Sequence, residues 1–171
     1  MNTITSSDQI KKSYIDYVLT NGESPKSTYT FAKNLKISEA EFYKFYSGFA
    51  SIEKAVWEDM TQKTLAKIKN QKVWAKYTAR EKVLSFFYSY IEMLKTQRSF
   101  IIYTLKKHTK RLSTPDILSG VKEMFQDFAE ETINEGLDKG ELADRKFFSK
   151  RYKDALWIQF GFIINFWVND G

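Results

Sequence analysis

The apolar positions of this chain fall into stripes at helical spacing, and with seven Gly and two Pro there is little to interrupt them. Leu118, Val121, Met124, Phe125, Phe128, Ala129 and Ile133 line one face of a helix with acids on the other. Pro115 suits its first turn and Gly140 stops it. Behind a cap at Thr78, the stripe Val83, Phe86, Phe87, Tyr90, Ile91 and Leu94 predicts another helix. A shorter one, Arg98 to His108, carries Phe100, Ile101, Tyr103, Thr104 and Leu105 and gives way to a loop at Thr109 to Thr114. The last helix, about Phe147 to Val168, first mixes Phe148 and Tyr152 with Lys150, Arg151 and Lys153. From Ala155 onward it is apolar on every side except at Gln159, Gly161 and Asn165. A helix apolar all round is buried all round, which in so small a body calls for a partner chain, a ligand or both.

Near the amino terminus the rhythm shortens. From Ser27 to Ala55 the pattern gives two short helices joined by a tight turn and followed by a third. Thr28 can cap the first, whose Phe31, Ala32 and Leu35 form its buried stripe. Asn34 to Lys36 makes the turn, with Ile37 beneath it. Ser38 with Glu41 reads as a capping box, so the second helix starts at Glu39, buries Phe42 and Phe45, and turns Glu39, Ala40, Tyr43 and Lys44 outward. That is the outline of a helix-turn-helix, which sets its second helix into a DNA major groove.

These residues resemble the signature of the TetR-type (TetR/AcrR-like) bacterial repressors, in Thr28, Phe31-Ala32, Ile37-Ser38, Phe42-Tyr43 and Phe45-Tyr46. The flanks extend the likeness, with Ile10 to Leu19 as the family's first helix and Ile52 to Lys69 as its long fourth. The resemblance implies an all-α fold: a three-helix head over residues 1–50 and a helical ligand-binding and dimerisation body over 51–171. It implies a homodimer on a double-stranded operator. Lys26, Thr28, Tyr43 and Lys44 would meet phosphates, while Glu39, Ala40 and Glu41, following Ser38, would face base edges. It further implies an effector pocket among Phe86, Phe87, Tyr90, Met93, Phe100, Tyr103, Met124, Phe125, Phe128, Trp157 and Phe160. Such a lining suits a small apolar molecule or a lipid. The dimer seam would use Trp157, Phe160, Ile164 and Trp167, and the family has a further helix beyond about Gly171.

The chain also departs from the pattern. Ala40-Glu41 stands where a Gly-Thr pair is common, and Gly48-Phe49-Ala50 where Ser-Lys-Glu supplies a phosphate-contacting lysine. Through residue 46 six Lys oppose five acids, so the head carries only +1 of the total +6. That is a thin electrostatic footprint for a DNA reader. The excess lies in the Lys-rich stretches 63–82 and 95–111, basic faces that are solvated or suited to peripheral contact with acidic membrane lipids.

Composition narrows the chemistry. Without cysteine there is no disulfide framework, thiolate metal site or cysteine nucleophile. The single histidine, His108, lies in the basic run KKHTK and reads as a solvated side chain with no carboxylate nearby in sequence. No phosphate-cradling glycine loop, nucleophile elbow or metal-ligand spacing is present. The reading is a non-enzymatic protein without cofactor or metal, placed in the cytoplasm by its lack of cysteine, signal peptide and membrane span. Two functions fit: a DNA-binding regulator, a repressor, that responds to an apolar ligand, or a TetR-fold lipid binder that has left DNA and acts at membranes or in lipid and quinone metabolism.

Overall fold

The computed structural model describes residues 6–108, 114–142 and 148–170, with side chains from 151 onward in the last segment. The expected loop at Thr109 to Thr114 lies outside these except for Thr114. Among the described residues there are eight α-helices and no strand: α1 Ser7–Asn21, α2 Thr28–Asn34, α3 Glu39–Tyr43, α4 Phe49–Lys69, α5 Ala79–Lys95, α6 Arg98–His108, α7 Ser119–Asp138 and α8 Phe148–Asn169. Short 3₁₀ turns at Trp74–Lys76 and Asp116–Leu118 precede α5 and α7. Pro115 therefore opens the 3₁₀ turn and not α7 itself.

Local chemistry sets the ends. Ser6 and Gln9 form a capping box on α1, and Gly22, at φ 73°, closes that helix in the left-handed conformation. Thr78 and Glu81 form the same box on α5, and the backbone and hydroxyl bonds from Thr78 hold the Glu81 carboxyl below its usual range. Gly140, at φ 70°, ends α7 as its sequence position requires: Glu141 N–H returns to the Gly136 carbonyl at 2.8 Å and Gly140 N–H to that of Leu137 at 3.0 Å.

The chain forms two compact units, Met1–Trp57 with Arg98–Ile117, and Glu58–Gln97 with Leu118–Gly171. So α6, expected in the body, packs with the head. In the first unit Tyr14, Phe31, Phe42 and Phe49 meet as a ring cluster, with Tyr14 stacked on Phe49 at 5.3 Å and Phe31 edge-on to Phe49 at 5.5 Å. Ile10, Val18 and Ile52 complete this core. In the second, Phe160 is the hub: it stacks on Phe125 at 5.3 Å and Phe87 at 5.9 Å, and meets Tyr90 edge-on at 5.0 Å. The Tyr90 hydroxyl is paired with Thr61 at 3.1 Å, and burial pushes its phenol far above the ordinary range.

Two features of the second unit were not visible as stripe residues. Lys82 is buried, and its ammonium reaches Glu135 while lying 5.1 Å from the Trp74 ring centroid. Hydrogen bonds from Lys139 and Lys82 hold the Glu135 carboxyl low. Gly136 sits where α7 comes closest to the start of α5: a Cβ there would lie 2.8 Å from Ala79 Cβ and 3.0 Å from Leu142 Cδ1. Alanine gains about 1 kcal/mol in helix propensity, but overpacking against a fixed Cβ costs about 1–3 kcal/mol. Gly136→Ala is thus expected to lower stability by about 1 kcal/mol in urea unfolding; a gain in stability would mean that the α5–α7 approach is loose.

Candidate nucleic-acid interface

The helix-turn-helix is built by two serine caps and an aromatic floor. Ser27, not Thr28, caps α2, its Oγ accepting from Thr30 N–H at 3.2 Å; Thr28 is the first helical residue. The turn places Lys36 at φ 59°, an unusual conformation for a residue with a Cβ, and lets Ile37 N–H bond the Ala32 carbonyl at 3.1 Å. Ser38 Oγ accepts from Glu41 N–H at 3.0 Å, but the Glu41 carboxylate does not turn back to the cap. It pairs with Lys44 Nζ at 2.7 Å.

Helix α3 buries Phe42, and the next inward residue is Tyr46, one turn on; Phe45, expected inside, is 39% exposed. Both Phe45 and Tyr46 N–H bond the Phe42 carbonyl, so the side chain decides: the Tyr46 hydroxyl reaches the Ser7 carbonyl at 3.3 Å, which fixes that ring beneath the helix. Outward lie Ser38, Glu39, Ala40, Tyr43 and Lys44, with Glu41 half-buried. On the preceding segment Lys26 is exposed and Thr28 half-buried, while Tyr29, which the sequence reading passed over, stands exposed on α2. A hollow of about 300 Å³ opens elsewhere on the head, lined by residues including Ser13, Asp16, Tyr17, Asn21 and Asn34.

The first unit also holds a polar cluster that sequence reasoning missed. Glu53, fully buried on α4, takes hydrogen bonds from Tyr14 Oη at 2.6 Å and Lys107 Nζ at 2.8 Å on one oxygen, and meets His108 Nε2 at 2.7 Å with the other. Ser24, between α1 and α2, joins Tyr14 at 2.9 Å, Tyr103 at 3.0 Å and Lys107 at 3.0 Å. Trp57 Nε1 donates to Thr104 at 3.1 Å and Phe100 meets Tyr14 edge-on, so α6 is fastened to α1 and α4 along its length. Burial would raise the Glu53 carboxyl, but the bonds from Lys107, Tyr14 and His108 outweigh it and hold the group below the usual carboxylate range. Burial, and then the bond to Glu53, push the Tyr14 phenol far above its ordinary range.

His108 is therefore not a solvated surface residue; its carboxylate partner lies 55 positions back in the chain. A signal did exist: Glu53 occupies the same stripe as Ile52, Val56, Trp57 and Met60, where a charge must find a partner.

The residues expected around an effector are distributed differently. Phe100 and Tyr103 lie in the first unit, the other nine in the second. There Phe86, Phe87, Tyr90, Phe125, Phe128, Trp157 and Phe160 are buried against one another, while Met93 and Met124 are half-buried. Of the four residues expected at a dimer seam, Trp157, Phe160 and Ile164 point inward and are buried within the chain, and Trp167 is half-buried. Their inward turn follows from ring packing, since Trp157 sits 5.9 Å from Phe125 and Phe160 lies in the stack. The opposite face of α8 presents Ile158, Phe162 and Phe166 at 58%, 70% and 68% exposure. Among the described residues no helix is long and apolar enough to cross a membrane.

The family model described as Tetracyclin repressor-like, C-terminal domain, matches residues 82–171, more than half of the 171-residue chain. Comparison with the curated proteins and with the solved structures gave no match. With that match following a helix-turn-helix head, the chain belongs to the TetR-like regulators, a family of non-enzymatic regulatory proteins.

Proposed function

We propose that this protein is a dimeric, cytoplasmic transcriptional repressor that binds operator DNA through α3 and is released by a small apolar ligand. The observation that carries the reading is the outward face of α3: Glu39, Ala40, Tyr43 and Lys44 stand free of the core on a helix that Phe42 and Tyr46 anchor from below. Tyr43, Lys44, Lys26 and Thr28 offer donors to phosphates, and Glu39 and Glu41 can accept from cytosine amino groups. Tyr29, exposed on α2 next to Thr28 in the chain, offers a further hydroxyl. The aromatic cluster of the second unit, edged by Met93 and Met124, suits an apolar effector. The outer face of α8 suits a second copy of the chain.

The test is fluorescence anisotropy with duplex DNA from upstream of the protein's own gene, beside a scrambled duplex, at two salt concentrations. Preferential binding that weakens with salt is the expected result. Lys44→Glu breaks the pair with Glu41 and places a third carboxylate on the exposed helix, so it should weaken binding about tenfold or more. Full binding by that variant would remove α3 from the interface. The paired state of Lys44 and the head charge of +1 favour the second reading, a lipid binder that has left DNA; equal, weak binding to both duplexes would put it first.

A further inference from the structure

We infer that the turn between α4 and α5 is a docking surface for an anionic lipid bilayer, independent of what α3 binds. Lys63 and Lys67 are exposed one turn apart near the end of α4; Lys72 and Lys76 are exposed around the 3₁₀ turn, and Arg80 on the first turn of α5. The segment is held in shape. Gln71 N–H bonds the Ile68 carbonyl, Trp74 N–H that of Gln71 and Tyr77 N–H that of Trp74. The Trp74 ring is fixed between Phe128 and Tyr77, each 6.3 Å away, with the Lys82 ammonium over it. The turn therefore presents its charges from a fixed platform.

Two of the nearby acids are paired with other cations, Glu131 with Lys69 at 2.6 Å and Glu135 with Lys82 and Lys139, while Glu81 and Glu141 are held by hydrogen bonds from Thr78 and from Ala79 N–H. Lys63, Lys67, Lys72, Lys76 and Arg80 enter none of the ion pairs formed among the described residues. Between the cations stands Val73, 44% exposed. A phosphodiester groove has no use for that apolar side chain, whereas the boundary between headgroups and acyl chains accepts it. Four of the five cations are lysines, point charges that need no bidentate geometry and so suit a diffuse sheet of anionic headgroups.

Co-sedimentation of the full chain with vesicles tests this, using phosphatidylcholine alone and an equal mixture with phosphatidylglycerol. Binding is expected only to the mixture, falling with salt. Each lysine near an anionic surface is worth about fivefold, so Lys67→Gln/Lys72→Gln/Lys76→Gln should lower partitioning about a hundredfold. Val73→Ser should lower it further at constant charge. The control removes the same charge from the head, Lys26→Gln/Lys33→Gln/Lys36→Gln. An equal loss in that control would make net charge the cause and overturn the assignment. So would absence of binding to the mixture, or a turn variant that loses scrambled duplex but keeps vesicles, which would make the turn a nucleic-acid surface.

Discussion

Replacing Glu53 with alanine is expected to lower the stability of the first unit by about 3–5 kcal/mol, the cost of breaking a buried ion pair from one side. The variant leaves the Tyr14 hydroxyl and His108 facing a void and deprives Lys107 of its counter-charge. Glu53→Gln keeps the volume and one acceptor oxygen, so it should cost less, about 1–3 kcal/mol. The pair also separates charge from packing through pH. Glu53 titrates below its unfolded value of about 4.3, so its stabilisation is complete above that pH and is lost as pH falls through the lower folded value. Wild type should therefore weaken on acidification more steeply than Glu53→Gln. Urea unfolding at neutral pH and at about pH 4 reads both effects. A Glu53→Ala loss within about 0.5 kcal/mol, the range of an ordinary surface change, would mean that the cluster does not hold α6 to the head.

Much of the fold was legible because it depends on local order. The stripe from Val121 to Ile133, the Thr78 cap and the stop at Gly140 are each set by residues within a few positions of one another, and the helices appear where these signals stand. The head follows for the same reason, down to the Ser38 cap and the outward Tyr43 and Lys44. What the sequence did not disclose was partnership at long range. The spacing allowed either Phe45 or Tyr46 to follow Phe42 into the core, and a hydroxyl bond to Ser7, 39 positions away, decides between them. The same holds for His108 and Glu53, and for α6, whose stripe marks one buried face without saying which unit buries it. Helix α8 is the sharpest case. Being apolar all round, it has no periodicity to tell its inner face from its outer one.

That ambiguity is now resolved within the chain, and it makes the dimer testable. Trp157, Phe160 and Ile164 are consumed by the aromatic stack, so truncating them should damage the fold: Phe160→Ala is expected to behave as a core deletion. Ile158, Phe162 and Phe166, spaced i, i+4, i+8, form one outer ridge, and a Cβ at Gly161 beside them would meet nothing within 4 Å. A second copy could therefore bring its own α8 close along this ridge, each phenylalanine facing its symmetry mate or a near neighbour about a two-fold axis. Phe162→Glu/Phe166→Glu places four carboxylates in that seam while leaving every core ring in place. Losing two aromatic anchors from each copy, four in the dimer at about 2 kcal/mol each, corresponds to a rise of about a millionfold in the dimer dissociation constant. Sedimentation velocity over a concentration series should show wild type as dimer and the variant as a folded monomer. A monomeric wild type at micromolar concentration would leave the ridge to another partner and deprive the operator reading of its paired heads. A dimeric variant would move the seam away from α8.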